Sequence, residues 1–402
     1  MKNGWEIKRI GDVCQLMTGG TPSRTRPEYF GGPIKWLVSG DIHQKEIFEC
    51  EGRITEEGMQ NSNAKLLPVD SVMIALNGQG KTRGTVAMLR TLATCNQSLV
   101  SISPRDPSRL LSEFLYANLH GRYQEIRQMT GDSGNDRRGL NMDLIRNIEV
   151  PIAPVSEQKR IVGILNKAFE IIAIAKAKAE KNLQNARALF ESHLETVFTK
   201  RGDGWTEKRL GEICERVSVG HVGPTSKFYC EPDKGIPFIR SQNVRRTRLD
   251  WDGIQYITKE FHQQLRKSQL LAGDLLFVRV GANRGDCCSV PNDVGEINCA
   301  NIVFARPREG NATFLEHYCG STHGRNQLLG MTTGSAQGVI NTSSVAELVV
   351  PLAPISKQRH IVDSLNELQT ETQRLTSVYD RKITTLEALK KSLLHQAFTG
   401  KL

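Results

Sequence analysis

The 402-residue sequence lacks a long hydrophobic run. No window reaches the about 18 consecutive apolar residues that a membrane-spanning helix requires, and the opening Met1-Lys2-Asn3-Gly4-Trp5 is not followed by an apolar signal stretch. We therefore expect a soluble, cytoplasmic protein. No segment has the biased composition of a disordered tail, and with 39% hydrophobic and 24% charged residues the chain can form two or three buried cores.

The sequence also lacks the usual signatures of metal sites and of catalysis. Its nine cysteines include no Cys-x-x-Cys pair and none with a histidine at zinc-finger spacing, which indicates reduced core residues. There is no Gly-x-Ser-x-Gly elbow and no His-Glu-x-x-His motif. An Asn/Asp-Pro-Pro-Tyr/Phe methyltransferase motif is missing as well. We predict a protein without a metal, a cofactor or catalytic residues of its own.

The segment Gly78-Gln79-Gly80-Lys81-Thr82 is the motif that most suggests catalysis, because it ends like a phosphate-binding loop. Such a loop requires Gly-x-x-x-x-Gly-Lys-Ser/Thr, and Ala75 occupies the first glycine position. Residues 83–88 have the pattern of a strand, whereas a phosphate-binding loop leads into a helix. We interpret the segment as a glycine-rich loop between strands. A cryptic nuclease or nucleotidase using Lys81 and Thr82 is kept as an alternative hypothesis.

The chain does contain a long-range repeat. Residues 4–14 return as 204–214, and residues 150–162 return as 350–362. Each copy has a mixed segment, a proline-marked junction and a long segment without proline. We predict an α+β fold with the domain division 1–153 (first domain), 154–201 (first long helix), 202–353 (second domain) and 354–402 (second long helix).

Short apolar runs between glycine turns predict the strands of each domain. The predicted strands are 34–38, 71–76 and 98–102 in the first copy and 236–240, 274–280 and 301–305 in the second. Helices are predicted at 108–129 and 312–329. Asp70 aligns best with Asp274, so the register between the copies slips inside the domains, and we expect their loops to differ.

The long segments carry apolar residues at four-three spacing, which predicts helices that wind around each other. In the first the apolar positions are Ile161, Leu165, Ala168, Ile172, Ala175, Ala179, Ala186 and Leu189. In the second they are Ile361, Leu365, Leu368, Leu375, Tyr379, Leu386, Leu389 and Leu393. We predict an antiparallel coiled coil with a pseudo-twofold axis, Ser156 and Ser356 as N-caps, and Asn182 and Lys382 as polar seam residues, either tolerated or register-fixing.

These features together resemble the DNA-specificity (S) subunit of type I restriction-modification enzymes. The resemblance rests on the openings Gly4-Trp5 and Gly204-Trp205, the two Pro-x-x-x-Gln junctions at 154–158 and 354–358, and the last residues, 396–402. It implies two target-recognition domains that each read one half of an asymmetric, split double-stranded DNA site. It also implies that the helices bind two methylation (M) subunits and act as a ruler, with two restriction (R) subunits in the full complex. Lys357, where the family usually has Glu, departs from the pattern.

The net charge of +10 and the pI near 9.2 also favour an anionic partner. Arg and Lys can donate to guanine and Asn and Gln can pair with adenine, so the polar loops supply our candidates for DNA contact. These are Thr21, Ser23, Arg24, Ser39, Gln79, Lys81, Arg83, Lys227, Arg240, Gln242, Asn243, Arg245, Asn283, Arg284 and Gln337. The alternative for each is a solvated turn residue. A helical scaffold with only protein partners is a further alternative hypothesis.

Overall fold

The computed structural model describes residues 4–78, 80–130, 139–331 and 338–402. The chain divides into two compact units, Met1–Ala179 with Arg381–Leu402, and Glu180–Asp380. Each unit therefore contains one mixed α+β domain together with a part of each long helix.

The first domain is built on a five-stranded sheet with the order Cys14–Thr18, Leu99–Pro104, Val72–Ala75, Val86–Leu89, Glu46–Ile47. A three-stranded sheet has the order Arg53–Ile54, Phe30–Leu37, Thr94–Cys95, and Glu6–Arg9 pairs with Glu149–Ile152. The helices are Ile10–Val13, Glu56–Gln60, Ser112–Gly121, Tyr123–Gln128 and Met142–Arg146, and the 3-10 turns are Pro27–Tyr29 and Ser39–Gln44.

The second domain has a four-stranded sheet with the order Cys214–Val219, Ile302–Pro307, Leu275–Val278, Cys287–Ser289. A five-stranded sheet has the order Tyr229–Cys230, Gln255–Thr258, Gly235–Ile239, Ile297–Cys299, Gln269–Leu270. Two further sheets have two strands each. In one Val244–Arg245 pairs with Arg248–Leu249, and in the other Thr206–Arg209 pairs with Val349–Leu352. The helices are Leu210–Ile213, Lys259–Gln264, Ala312–Gly320, Thr322–Gly330 and Thr342–Ala346, and the 3-10 turns are Ser226–Phe228, Pro232–Lys234 and Arg266–Ser268.

One central strand in each domain is buried on both faces. Because successive side chains of a strand point to opposite faces, Val72 and Ile74 enter one core while Met73 and Ala75 enter another. The strand Leu275–Val278 divides its side chains between two cores in the same way. A strand covered on both faces reads as a continuous apolar run, and for this reason these two strands are apparent in the sequence.

The six predicted strands are present, but the helices differ from the prediction in two respects. Each predicted helix is two helices, separated at Arg122 in the first domain and at Ser321 in the second. Ser321 accepts a hydrogen bond from the N–H of Gly324 at 3.1 Å and so caps a new helix. The first helix also starts at Ser112, not at residue 108, because the side chain of Asp106 accepts the N–H of Ser108 in a turn.

The alignment of Asp70 in the first copy with Asp274 in the second was wrong by one residue. The N–H of Asp70 donates to Leu89 O at 2.7 Å, and the N–H of Gly273 donates to Val290 O at 2.9 Å in the matching turn. Asp70 and Gly273 both have a left-handed backbone, with φ of 62° and 82°. The turn geometry, which the sequence alignment does not contain, sets the register here.

The two long helices run over Val155–Thr199 and Ile355–Phe398. The prediction that Ser156 and Ser356 are N-caps was wrong. The carbonyls of Pro154 and Pro354 accept the N–H groups of residues 158 and 358, both at 3.0 Å, so each proline precedes the first turn and each serine lies inside it.

The helices pair antiparallel inside each unit, as predicted. In the first unit Lys176 Nζ lies 2.5 Å from Glu387 Oε1. In the second unit Asn182 Nδ2 donates to Tyr379 Oη at 3.2 Å, and Arg187 lies 3.9 Å from Asp380. The first unit shows the direction, because the Phe169 ring lies 5.0 Å from Lys390 Nζ and Lys176 lies by Glu387, so residue numbers rise along one helix as they fall along the other. Asn182 is exposed, as is Lys382, so both are at the edge of the seam.

The seam leaves the predicted heptad near its end. Ile161, Leu165 and Ala179 are buried, but Leu189 and Leu389 are 52% and 46% exposed, so their assignment to the seam was wrong. The reason is a change of partner, because these helix ends pack on the domains. Phe398 packs edge-on against Phe114 with ring centroids 5.2 Å apart, and Phe198 packs in the same way on Phe314 at 5.3 Å.

Candidate nucleic-acid interface

Three loops of the second domain converge where two parallel strands end. The strands Gly235–Ile239 and Ile297–Cys299 pair in parallel, so their carboxyl ends lie side by side. The N–H of His221 donates to Cys299 O at 2.9 Å, and Ser241 Oγ donates to Asn301 O at 3.3 Å. A cavity of about 460 Å³ opens among these loops, lined by His221, Val222, Gly223, Thr225, Arg240, Ser241, Gln242, Ala300 and Asn301.

Asn301 has an unusual backbone at this cavity. Its φ of 53° lies in the left-handed region, which Asn tolerates better than most residues. Its side-chain Oδ1 accepts a hydrogen bond from Arg279 Nη1 at 3.2 Å, and Arg279 Nε donates to Ile340 O at 3.3 Å. Arg279 therefore connects the cavity to the segment that follows residues 332–337.

The three predicted DNA-contact residues in the loop at this cavity, Arg240, Gln242 and Asn243, differ in their exposure to solvent. Gln242 is exposed, with one hydrogen bond to Gly253 O at 3.3 Å. The guanidinium of Arg240 lies 5.9 Å from the Tyr229 ring, and its Nε is buried without a hydrogen-bond partner among the described residues. Asn243 is fully buried. Its amide holds the loop, because Oδ1 accepts the N–H of Arg240 at 3.2 Å and Nδ2 donates to Asp250 O at 3.1 Å.

The next two arginines, Arg245 and Arg246, have different partners. Arg245 is half-buried, and its Nη1 donates to Val244 O at 3.1 Å. Arg246 forms an ion pair with Glu191 of the first long helix at 2.6 Å, so its charge serves packing inside the second unit. Lys227 is exposed, with its ammonium 5.0 Å from the Phe228 ring.

The glycine loop of the second domain contacts the late loop. Arg284 donates to Gly338 O, and Arg325 donates to Arg284 O at 3.0 Å. Asn283 is half-buried, and its carbonyl accepts the N–H of Asp286 at 3.0 Å. Burial raises the pKa of Asp286, while Arg325 opposes that shift. Gln337 lies outside the described residues.

The first domain repeats the convergence with different side chains. The N–H of Gly20 donates to Cys95 O at 3.0 Å, so Gly20 stands where His221 stands in the second domain. Thr21 Oγ1 donates to Gln97 Oε1 at 2.7 Å. A Cβ at Gly19 would lie 1.7 Å from Cys95 O, so only glycine allows this close approach.

The remaining early-loop candidates lie beside that convergence. Ser23 and Thr25 share a hydrogen bond at 2.8 Å, and Arg24 is exposed. Ser39 starts a 3-10 turn in which the side chain of Asp41 accepts the N–H of Val38 at 2.8 Å. The turn matches the one that Asn243 holds from Arg240 onwards.

The glycine loop of the first domain leads into the strand Val86–Leu89, as predicted, and not into a helix that would hold phosphates. Lys81 is exposed, and its carbonyl accepts hydrogen bonds from Thr85 Oγ1 at 2.6 Å and Tyr123 Oη at 3.0 Å. Arg83 is half-buried. Gln79 lies outside the described residues.

Among the described residues no group of three or more His, Cys, Asp or Glu side chains is placed to hold a metal ion. The cysteines are unpaired, and eight of the nine are buried, as expected for core residues. None of the described helices combines the length and apolar character needed to cross a bilayer.

Comparison with known proteins gives these loops a family context. Residues 2–184 match the family described as "Type I restriction modification DNA specificity domain". The EcoKI specificity subunit of Escherichia coli K12 is 22% identical over 100% of this chain and 90% of its own length. A solved chain from work on complex assembly of a type I R-M system has a TM-score of 0.78 at 18% identity, covering 100% of this chain and 99% of its own. Residues 2–184 therefore belong to the type I restriction-modification DNA specificity domain family, and the chain along its whole length is similar to type I specificity subunits.

The family assignment confirms the resemblance seen in the sequence, and the α+β architecture with tandem domains and two long helices agrees with it. One partial match is the MjaIX specificity subunit of Methanocaldococcus jannaschii, 27% identical over 60% of this chain. The chain spans 58% of the length of that relative.

Sequence reasoning missed several residues that the structure places at the convergence. They are Arg279 and Asn301 in the second domain and Gln97 in the first. No local signal marks them, since their proximity depends on the parallel pairing of strands about 60 residues apart. A useful clue was the Gly19-Gly20 pair, with its counterpart Gly220, because close backbone approach requires glycine.

Proposed function

We propose that this specificity subunit binds double-stranded DNA and reads an asymmetric, bipartite site, one half-site per domain. The observation that carries the proposal is the cavity of about 460 Å³ in the second domain, where His221, Arg240, Gln242 and Asn301 converge. Their donors and acceptors are of the kinds that pair with base edges in the major groove. The net charge of +10 suits a phosphate backbone.

Different side chains at matching positions support different readings by the two domains. Gly20 of the first domain takes the place of His221, and the Thr21–Gln97 pair lies where the second domain has Val222 and Asn301. We propose that exposed Arg24, Lys81 and Lys227 contact phosphates, since most protein–DNA hydrogen bonds go to the backbone. Base contacts would then come from Gln242 and Asn301 in the second domain.

The wider assembly is also part of the proposal. We propose two methylation subunits bound along the long helices, two restriction subunits in the full complex, and action in the cytoplasm. The domain division 1–153, 154–201, 202–353 and 354–402 is proposed with it. The chain itself would contribute recognition without catalysis.

A domain exchange tests the proposal. Residues 1–153 are replaced by those of another type I specificity subunit, and the complex is expressed with methylation subunits in cells that lack other methyltransferases. Sequencing of methylated DNA is expected to show a change in one half-site alone. A change in both halves, or no methylation dependence on the exchanged residues, would overturn the proposal.

The two alternatives are tested with the purified chain. A cryptic nuclease or nucleotidase predicts DNA cleavage or ATP turnover that Lys81→Ala abolishes. A purely protein-binding scaffold predicts no DNA binding even with the methylation subunits present. We expect neither result.

A further inference from the structure

The first unit contains a cavity that the proposed DNA contacts do not use. It has a volume of about 680 Å³ and lies among the helix Ser112–Gly121 and the parts of both long helices that belong to this unit. A second cavity of about 660 Å³ shares His120, Glu387 and Lys390 with it and extends to Lys81. Both volumes are in the range of small-molecule sites.

The cavity has positive charge without matching negative charge. Lys45, Lys176 and Lys390 line it, but only Lys176 has a carboxylate, Glu387 at 2.5 Å. In the part of the chain that the structure describes, no ion pair joins Lys45 or Lys390 to an acid. The two other carboxylates of the lining, Glu46 and Glu113, both pair with Arg90, at 2.8 and 3.3 Å.

The proximity of these cations affects the pKa values of Lys390 and His120. Burial, together with Lys45 and Lys176, lowers the pKa of Lys390. Burial, Lys390 and Lys45 lower the pKa of His120 to about 4, so that this ring is neutral at pH 7. An anion placed among these groups would offset the repulsion between the lysines.

The other wall of the cavity is apolar and aromatic. The rings of Tyr116 and His120 stack with centroids 5.6 Å apart, and Lys390 lies 5.0 Å over the ring of Phe169. Leu165 and Ile172 complete this wall. A planar ring can stack on such a surface, and lysine is a common phosphate ligand.

The second unit does not repeat this chemistry, although the scaffold is duplicated. We align Thr247 with Lys45, since both have a left-handed backbone, with φ of 57° and 63°. Lys45 follows the 3-10 turn Ser39–Gln44, and Thr247 lies between the paired strands Val244–Arg245 and Arg248–Leu249. There Gln369 donates to Thr247 Oγ1 at 3.1 Å, at the position of Phe169. Beside it Arg246 pairs with Glu191 at 2.6 Å. The fold therefore does not require unpaired lysines at this place.

We propose that the cavity of about 680 Å³ in the first unit binds a nucleoside phosphate, with the base against Tyr116 and His120 and the phosphate between Lys45 and Lys390. Lys81 of the glycine loop lines the adjoining cavity and not this one, and the proposal is independent of the proposed reading of DNA. It requires no turnover of the ligand, so the chain would act as a receptor for it.

Calorimetry on the full purified chain with three probes tests the proposal. AMP is expected to bind, and inorganic phosphate alone and adenosine alone are expected to bind at least tenfold more weakly. Lys390→Ala and Lys45→Glu are each expected to weaken AMP binding at least tenfold. Lys382→Ala, on the same long helix but outside the cavity, should bind AMP like the unmodified chain.

Four results would overturn the proposal. The first two are absence of AMP binding and equal binding of AMP and phosphate. The third is AMP binding by the lysine variants that equals that of the unmodified chain. The fourth is a loss of duplex DNA binding in the same variants that lose AMP binding, which would indicate a general defect. Thermal unfolding of each variant without ligand shows whether it folds, and Lys45→Glu changes an exposed side chain, so the test does not depend on Lys390 alone.

Discussion

Gln158 accepts the backbone N–H of Leu111 through its side-chain oxygen at 2.9 Å. Its Nε2 donates to the carbonyls of Arg109 and Ala153, both at 2.7 Å. Gln358 makes matching contacts, accepting the N–H of Asn311 at 2.8 Å and donating to Ala353 O at 2.7 Å. Both glutamines are buried. The Pro-x-x-x-Gln junction thus connects each domain to the first turn of its long helix.

We predict that Gln158→Met destabilises the protein, because it leaves Leu111 N–H and two carbonyls unpaired in a buried place. Each such loss costs about 1–3 kcal/mol, so a decrease of about 3 kcal/mol in the free energy of unfolding is expected. Urea unfolding followed by tryptophan fluorescence measures it. Gln60→Met, at an exposed glutamine, is the control and should leave the midpoint unchanged. Equal midpoints for the two variants would contradict the prediction.

The same junction marks what can be learned from the sequence. The repeat identified the junction, the strands buried on both faces and the long helices, because apolar periodicity records burial directly. The hydrogen bonds of Gln158 were not predictable, since they depend on a partner 47 residues away along the chain. That Phe190 and Leu194, and not Leu189, face the core was missed for a similar reason. The helix packs on a domain at this point, so the heptad pattern no longer applies.

Glu316 should make the stability of the second unit depend on pH. Burial raises its pKa from 4.5 to about 7, and the hydrogen bonds from Ser289 offset only part of this. Between these values the unfolded chain loses a proton that the folded protein keeps. The contribution of protonated Glu316 to the free energy of unfolding is therefore fully present below pH 4.5 and is lost as the pH rises through 7. At higher pH the loss reaches about 3 kcal/mol.

The variant Glu316→Gln keeps an acceptor for Ser289 without the charge. We predict that it raises the melting temperature at pH 8 and leaves it nearly unchanged at pH 5. Scanning calorimetry at both pH values, with Glu367→Gln at an exposed position as control, decides this. A gain that is the same at both pH values would argue against titration of Glu316.

Asn301 is predicted to determine one base pair of the second half-site. The variant Asn301→Gly keeps the backbone accessible at φ of 53° and removes only the side chain. Discrimination at one position should fall by about 1–3 kcal/mol, or roughly five- to 150-fold. Sequencing methylated DNA from a randomised library measures it.

Arg24→Ala is the contrasting variant. It is expected to weaken binding to all sequences and to reduce the salt dependence of binding without a change in specificity.

The site was less predictable than the fold, and the difference has a physical cause. Donor-rich loops are visible in the sequence, and Arg240 and Gln242 do line the cavity. Asn243 is in the same loop, yet its side chain is buried and holds the turn. Composition alone does not distinguish an amide that faces solvent from one that satisfies backbone groups, because both occur in polar turns.

The long helices are predicted to set the spacing between the half-sites. The antiparallel pairs Lys176–Glu387 and Asn182–Tyr379 centre near residues 181 and 381, so removing 178–184 and 378–384 takes one heptad from each helix. Two whole turns keep the remaining seam in register. Seven residues correspond to about 10 Å of helix, or about three base pairs of DNA. Methylation sequencing should therefore show the same two half-sites with a spacer shorter by about three base pairs. Removing 178–184 alone takes the heptad from one helix only, breaks the pairing and should abolish methylation, whereas an unchanged spacer in the double deletion would exclude the ruler.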